Sequence, residues 1–313
     1  MQNRPLGQTG LEVSILGFGG APLGDEYGNV SESEGAAAVH AAIDHGVNFI
    51  DVAPYYGRTL AEERLGRALE GRRGEVVLAT KCCRYDRRGF DFSAARVHSD
   101  IDACLTRLRT DYLDLFQVHD VEFGDRSQIL EETLPAMREV QASGKARFIG
   151  ITGLPVHMLR DLASEFPVDT VLSYCHYNLM IDDLASVLVP LASERGMGLI
   201  NASPLHMGIL STGGEQAWHP APDEVKAAGR RVAELCESRG TDIVTVALRY
   251  ALDYEGVATT LCGMRTPDEV HHNLRILETE NDPELLAEID AIVAPVRNRT
   301  WHEGLPENAP PGL

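Results

Sequence analysis

The chain has no C-x-x-C pair and no Cys/His spacing of the kind that holds a metal. Its six cysteines, Cys82, Cys83, Cys104, Cys175, Cys236 and Cys262, are scattered. Thiols without a pairing pattern argue for a reducing compartment, so a cytoplasmic protein with no metal centre is expected. No stretch approaches the roughly 20 apolar residues of a membrane span. The opening Met1-Gln2-Asn3-Arg4-Pro5 lacks the apolar core of a secretory signal. Basic charge is short as well: 28 Lys plus Arg stand against 47 Asp plus Glu, a formal net charge of −19. A field of that sign repels nucleic acid and anionic membrane. Neither is an expected partner, and an anionic cofactor needs local amides and a few placed cations. A dinucleotide fingerprint is missing too. Gly17-Phe18-Gly19-Gly20-Ala21-Pro22 is rich in glycine but lacks the G-x-G-x-x-G spacing that opens the first helix of a doubly wound fold.

What is present is alternation. The 313 residues, 44% of them hydrophobic, suit one α/β barrel of roughly 250 residues with insertions. Eight strand-like runs recur: 15–19, 47–50, 76–80, 112–118, 147–151, 170–174, 198–202 and 257–262. Helical periodicity fills the gaps, as where Val97, Ile101, Leu105 and Leu108 share one face. Ser31-Glu32-Ser33-Glu34 has the spacing of a capping box. Gly46, Gly144 and Gly196 stand where helices give way to strands, positions that favour a left-handed residue. The pattern predicts a (β/α)8 TIM barrel forming a single domain over 1–313. Two additions are expected: an N-terminal hairpin over 4–13 that plugs the barrel's N-terminal end, and an extra C-terminal helix over 283–294. The tail from Pro295 to Leu313 is expected to be an extended flap or disordered.

Chemistry-bearing residues fall at strand ends. Asp51 closes Val47–Ile50, Lys81 closes Val76–Thr80, and His119 closes Tyr112–Val118. Tyr56 lies in a loop five residues beyond Asp51. In a parallel barrel such ends share the face on which active sites are built. An ammonium beside a phenol favours phenolate, so Lys81 is expected to lower the pKa of Tyr56 toward working pH. Tyr56 thereby becomes a candidate acid and base.

An ordered set of motifs now carries a resemblance. Leu6-Gly7-x-Thr9-Gly10-Leu11-x-Val13-Ser14, Asp51-x-Ala53-x-Tyr55-Tyr56-Gly57, Ala79-Thr80-Lys81, Asp111-Tyr112-Leu113-Asp114, Gly144-Lys145-x-Arg147-x-Ile149-Gly150, Ser203-Pro204-Leu205 and Glu269-x-x-x-Asn273 resemble the aldo-keto reductase superfamily. Segments such as Gly89–Ser93 and Trp218–Ala221 resemble its sugar 1-dehydrogenase branch. The resemblance implies that Tyr56 donates and accepts the proton, Lys81 and Asp51 tune it, and His119 orients substrate. It also implies an extended nicotinamide dinucleotide at the barrel mouth. Gly20 and Ala21 would contact it, Thr152, Gly153 and Tyr174 would surround its nicotinamide end, Ser203, Leu205 and Gly208 its pyrophosphate, and Gly263, Met264, Arg265, Glu269 and Asn273 its adenosine. Thr152-Gly153 replaces the usual Ser-Asn, and Ala202 replaces the usual stacking tyrosine. Tyr174 either offers a stacking face instead or packs into the barrel. Glu269 stands where relatives that need a 2′-phosphate carry arginine, so NAD is expected over NADP, with Arg265 the opposing influence.

The expected reaction is oxidation of a free aldose of the L-galactose or L-fucose type at C1 to its lactone. A general NADPH-dependent aldehyde or ketone reductase is the nearer alternative. A non-catalytic module that senses bound dinucleotide is the more distant one.

Overall fold

The computed structural model describes residues 1–310 of the chain. Strands β1 (Asn3–Pro5) and β2 (Glu12–Ser14) form an antiparallel hairpin with Arg4 opposite Val13. Eight parallel strands follow: β3 (Leu16–Gly19), β4 (Phe49–Asp51), β5 (Val77–Cys82), β6 (Leu113–Val118), β7 (Ala146–Gly153), β8 (Thr170–Tyr174), β9 (Gly198–Ala202) and β10 (Thr259–Gly263). They close into a barrel, with β10 hydrogen-bonded back to β3.

Side chains alternate along each strand. Phe49, Val77, Ala79, Leu115, Leu172, Ile200 and Leu261 meet in one apolar cluster with Leu6, Leu11 and Val13. The hairpin thus supplies the apolar floor of the barrel interior. The alternate positions, including Phe18, Ile50, Leu78, Phe116 and Ile149, pack against Val39, Leu65, Ile101 and Leu159 of the surrounding helices. Each such side chain contributes about 1.5–3 kcal/mol on burial.

Local signals are met where they were read. Ser31 and Glu34 cap the helix Glu32–Asp44 reciprocally. Gly46, Gly144 and Gly196 adopt φ of 85°, 80° and 70°. In the helix Ala94–Leu108, Val97, Ile101 and Leu108 are buried while Leu105 is only partly so. The expected C-terminal helix spans Pro283–Val293. It rests on a further helix, Asp223–Ser238, inserted between β9 and β10. There Val225, Ala228 and Val232 share a second core with Leu285, Ile289 and Val293.

The tail adopts the flap arrangement over its described part, residues 295–310; 311–313 lie outside the described residues. Leu305 N donates to Glu122 O at 2.9 Å, and Asn308 Nδ2 donates to Glu122 O and Gly124 O at 2.8 and 2.9 Å. Trp301 is buried, edge-on to the rings of His206 and His219 at 5.4 and 5.2 Å between centroids.

Burial of His206 makes the fold acid-sensitive. His206 is fully buried, and burial aided by His219 and His176 pushes its imidazole down to about 3. The unfolded chain takes up this proton below about 6.5. Stability is therefore complete above that pH and is lost as pH falls from about 6.5 toward 3. Each tenfold difference in proton affinity is worth about 1.4 kcal/mol, so several kcal/mol depend on a neutral ring. Urea unfolding at pH 7 and pH 4.5 is expected to show that loss, and His206→Gln to show a smaller one.

Candidate active site

Alternation places one polar layer above the apolar interior. Asp51, Lys81 and Gln117 stand two residues beyond Phe49, Ala79 and Leu115, and Lys81 pairs with Gln117 across β5 and β6. Lys81 Nζ donates to Asp51 Oδ1, to Val52 O at 3.0 Å and to Tyr56 Oη at 3.3 Å. Gln117 Nε2 donates to Asp51 Oδ2 at 2.8 Å. Only 2% and 3% of the Lys81 and Asp51 side chains is exposed. A buried pair repays its desolvation only when the remaining lone pairs and protons are also bonded. Gln117 and the Val52 carbonyl meet that condition. Burial pushes the Asp51 carboxyl up, with Lys81 and Gln117 pulling against it.

Tyr56 reaches this pair from the loop after β4. The loop is held close by Gly57 at φ +62°, where an added Cβ would come within 2.4 Å of Gly24 O. The Tyr56 ring lies 4.9 Å from Lys81 Nζ and 5.9 Å, edge-on, from the His119 ring. His119 directly follows β6 and is 5% exposed. Burial, Lys81 and Arg84 hold its imidazole well below the usual histidine range, so it is neutral near pH 7. Its Nδ1 is buried without a partner.

One expectation is reversed. The Tyr56 phenol is held well above its ordinary value, by burial first and then by Asp51 and Asp120, against Arg84. Burial disfavours the charged phenolate outright, and Asp51, paired with the ammonium that was to draw the phenol down, adds to the rise. Tyr56 is thus a neutral phenol in contact with a cation.

Strand ends alone did not reveal the polar residues around the tetrad. Gln117 had a signal, a lone amide in an apolar strand two residues before His119 and so on the same face. Arg84 pairs with Asp120 and stacks on Tyr55 at 3.8 Å. Glu122 is fully buried, and its Oε1 accepts from Leu154 N at 3.1 Å and Tyr174 Oη at 3.2 Å. These come from loops whose meeting no local pattern records.

The expected cofactor residues line the same rim. Gly20 and Ala21 follow β3, and Gly20 N donates to Asp51 O at 2.7 Å. Thr152 and Gly153 end β7. Thr152 Oγ1 accepts from Asp120 N at 3.1 Å, and a Cβ on Gly153 would come within 2.5 Å of Glu122 Oε2. The glycine is therefore the counterpart of Glu122, whose carboxyl fills the space. Tyr174 ends β8 beside Ala202 and is tethered to Glu122 rather than lost in the core. Ser203, Leu205 and Gly208 lie in the turn after β9, with Ser203 at φ 55° and Gly208 at φ 104°. Gly263 ends β10 and Met264 follows it; the Met264 side chain is fully buried, so only its backbone faces the rim. Arg265 and Glu269 bind each other: Glu269 Oε1 accepts from Arg265 Nε and Nη2 at 2.9 and 2.5 Å, and Oε2 accepts from Arg265 N at 2.7 Å. Asn273 Nδ2 donates to Cys262 Sγ at 3.3 Å. All six cysteines are free and buried.

A family model described as the aldo/keto reductase family matches residues 15–294. The chain belongs to that family. As an aldo/keto reductase it is an oxidoreductase, of a family that uses nicotinamide cofactors, usually NADP. It is 44% identical to an L-galactose dehydrogenase from Arabidopsis thaliana, over 97% of this chain and 98% of that one. A pyridoxal 4-dehydrogenase from Microbacterium luteolum is 30% identical over 87% of this chain and 92% of its own, and a D-threo-aldose 1-dehydrogenase from a Pseudomonas species 27% identical over 90% and 94%. Among solved structures, the holo form of an aldo-keto reductase from Bacillus halodurans aligns with a TM-score of 0.77 at 27% identity, covering 97% and 98% of the two chains. No helix of the described residues is long and apolar enough to cross a membrane.

Proposed function

We propose that this aldo/keto reductase oxidises a free aldose of the L-galactose or L-fucose type at C1, with Tyr56 as acid and base. The carrying observation is the contact of Tyr56 Oη with Lys81 Nζ at 3.3 Å, beside a neutral His119. His119 orients the anomeric hydroxyl and Tyr56 takes its proton. The hydride leaves C1 at the same time, and the ring hemiacetal becomes a lactone with no further reactant. Bound nicotinamide supplies the acceptor for that hydride. Lys81 donates to the phenolate oxygen as charge builds there, and Asp51 with Gln117 keeps the ammonium in place. The 44% identity to an L-galactose dehydrogenase supports the sugar class. Because Tyr56 is a neutral phenol at rest, oxidation needs its deprotonated fraction and is expected to speed up as pH rises. Reduction of a simple aldehyde uses the phenol as it stands, so the same site supports a general reductase as the second reading. Comparing kcat/KM for L-galactose, L-fucose, D-arabinose, pyridoxal and unsubstituted aldehydes separates the two. Aldehydes outperforming every sugar would favour the reductase.

At the rim, Arg265 and the start of the helix Pro267–Ile276 face the proposed adenosine end, with Arg265 held by Glu269 and with Asp268 and Glu269 in the helix's first turn. The residues proposed to hold the cofactor are those from Gly20 to Asn273 described above. NAD is the proposed partner, because Glu269 occupies the Arg265 fork that a 2′-phosphate would need. Wild-type kcat/KM is expected to be higher with NAD than with NADP. Glu269→Arg is expected to shift the ratio toward NADP by about 10- to 100-fold, the effect of a hydrogen bond to a charged group. Wild-type preference for NADP would overturn this assignment.

A further inference from the structure

Asp120 has no part in the tetrad, yet the fold places it with unusual care. Its backbone is left-handed, φ 50° and ψ 64°, a conformation uncommon outside glycine and best tolerated by Asn and Asp. Its N–H donates to Thr152 Oγ1 at 3.1 Å, which fixes the turn. Its Oδ2 takes Nη1 of Arg84 and lies 3.7 Å from His119 Nε2. Arg84 is held in turn by stacking on Tyr55 at 3.8 Å, with Phe90 and Phe123 at 5.1 and 5.4 Å. Only 5% of the Asp120 side chain is exposed. An ion pair this deep is a poor source of stability, since an apolar pair of the same volume often does as well. What it does achieve is a fixed acceptor one step from the imidazole. Arg84 takes up Oδ2, with His119 Nε2 nearby but beyond hydrogen-bond reach, and Oδ1 is the oxygen left for a ligand.

We propose that Asp120, locked by Arg84, accepts a hydrogen bond from the hydroxyl on the carbon next to the reacting one, and so selects substrates with a free hydroxyl at C2. This rests on the aldose reading above. His119 addresses the oxygen on C1, the oxygen on C2 is its neighbour along the ring, and the Asp120 carboxylate is the acidic group beside His119, its Oδ2 at 3.7 Å from Nε2. A simple aldehyde has no such group. Asp120 and Arg84 are on this account what turns a general carbonyl site into a sugar site.

The test compares an aldose that the enzyme oxidises with its 2-deoxy analogue, in wild type and in Asp120→Asn and Asp120→Ala. Wild type is expected to prefer the parent sugar in kcat/KM by about 10- to 100-fold, the range for a lost hydrogen bond to a charged group. In both variants that ratio is expected to collapse toward one, whatever the common change in rate that loss of the Asp120 charge beside Tyr56 brings to both sugars, with the dissociation constant for dinucleotide, read by fluorescence, unchanged. Asp120→Asn keeps the side-chain shape and an acceptor for Arg84, so it separates recognition from misfolding. The wild-type comparison needs no variant at all. Equal use of the two sugars by wild type, or full discrimination retained by a folded variant, overturns the assignment while leaving the aldose reading intact. Failure of wild type to oxidise any aldose overturns both.

Discussion

Replacing Tyr56 by Phe is expected to reduce turnover by about 10²- to 10⁴-fold, the usual contribution of a positioned general acid or base. The substitution removes one ionisable oxygen and leaves the ring, which packs edge-on against His119. Dinucleotide affinity is expected to be unchanged, because Tyr56 meets Lys81 rather than the outer rim. Tyr55 is the internal control. Its ring lies 6.0 Å from His119 and under Arg84, and Lys81 reaches the other phenol. Tyr55→Phe is expected to be mild. If Tyr56→Phe keeps more than a tenth of wild-type kcat, where acid–base residues normally supply at least about a hundredfold, the proton passes through another group.

Lys81→Met is expected to cost both activity and stability, for separable reasons. Removing the ammonium leaves Asp51, 2% exposed, without its cation. Breaking one side of a buried pair typically costs about 3–5 kcal/mol. The double variant Lys81→Met with Asp51→Asn removes the stranded charge, and Gln117 can still bond the amide in place of the carboxylate. Urea unfolding is expected to recover a large part of the loss in the double variant, whereas turnover stays low because Tyr56 has no cation beside it in either. Recovery of turnover along with stability would mean that Lys81 acts only as a structural partner of Asp51.

The barrel was legible because its signals are local. Alternation within strands, apolar spacing in Ala94–Leu108 and the reciprocal cap at Ser31 and Glu34 are all written within a few residues. Asp51, Lys81 and His119 could be placed on one face for the same reason, since strand direction fixes which end each occupies. Exact ends were less certain: Lys81 lies inside β5, with Cys82 after it. The electrostatics of Tyr56 were misjudged because depth is not written in the local sequence: burial raises the phenol first, and Asp51, which pairs with Lys81, raises it further. Asp120, Glu122 and the tail were opaque because their partners, Arg84 for Asp120, Gly153 for Glu122 and the Glu122 carbonyl for the tail, lie far away in sequence and meet only once the barrel closes. Proline- and glycine-rich composition likewise disguised a tail fastened by hydrogen bonds of Asn298, Leu305 and Asn308 and by one buried tryptophan.

The most direct measurement follows the hydride itself. L-galactose carrying deuterium at C1 is incubated with the protein and NAD, and the reduced dinucleotide and the sugar product are examined by mass spectrometry and carbon NMR. The account predicts deuterium on the nicotinamide ring and a product oxidised at C1 as the lactone, with no exchange of the label into water. Reduced dinucleotide without label, or a product oxidised at any other carbon, would contradict it.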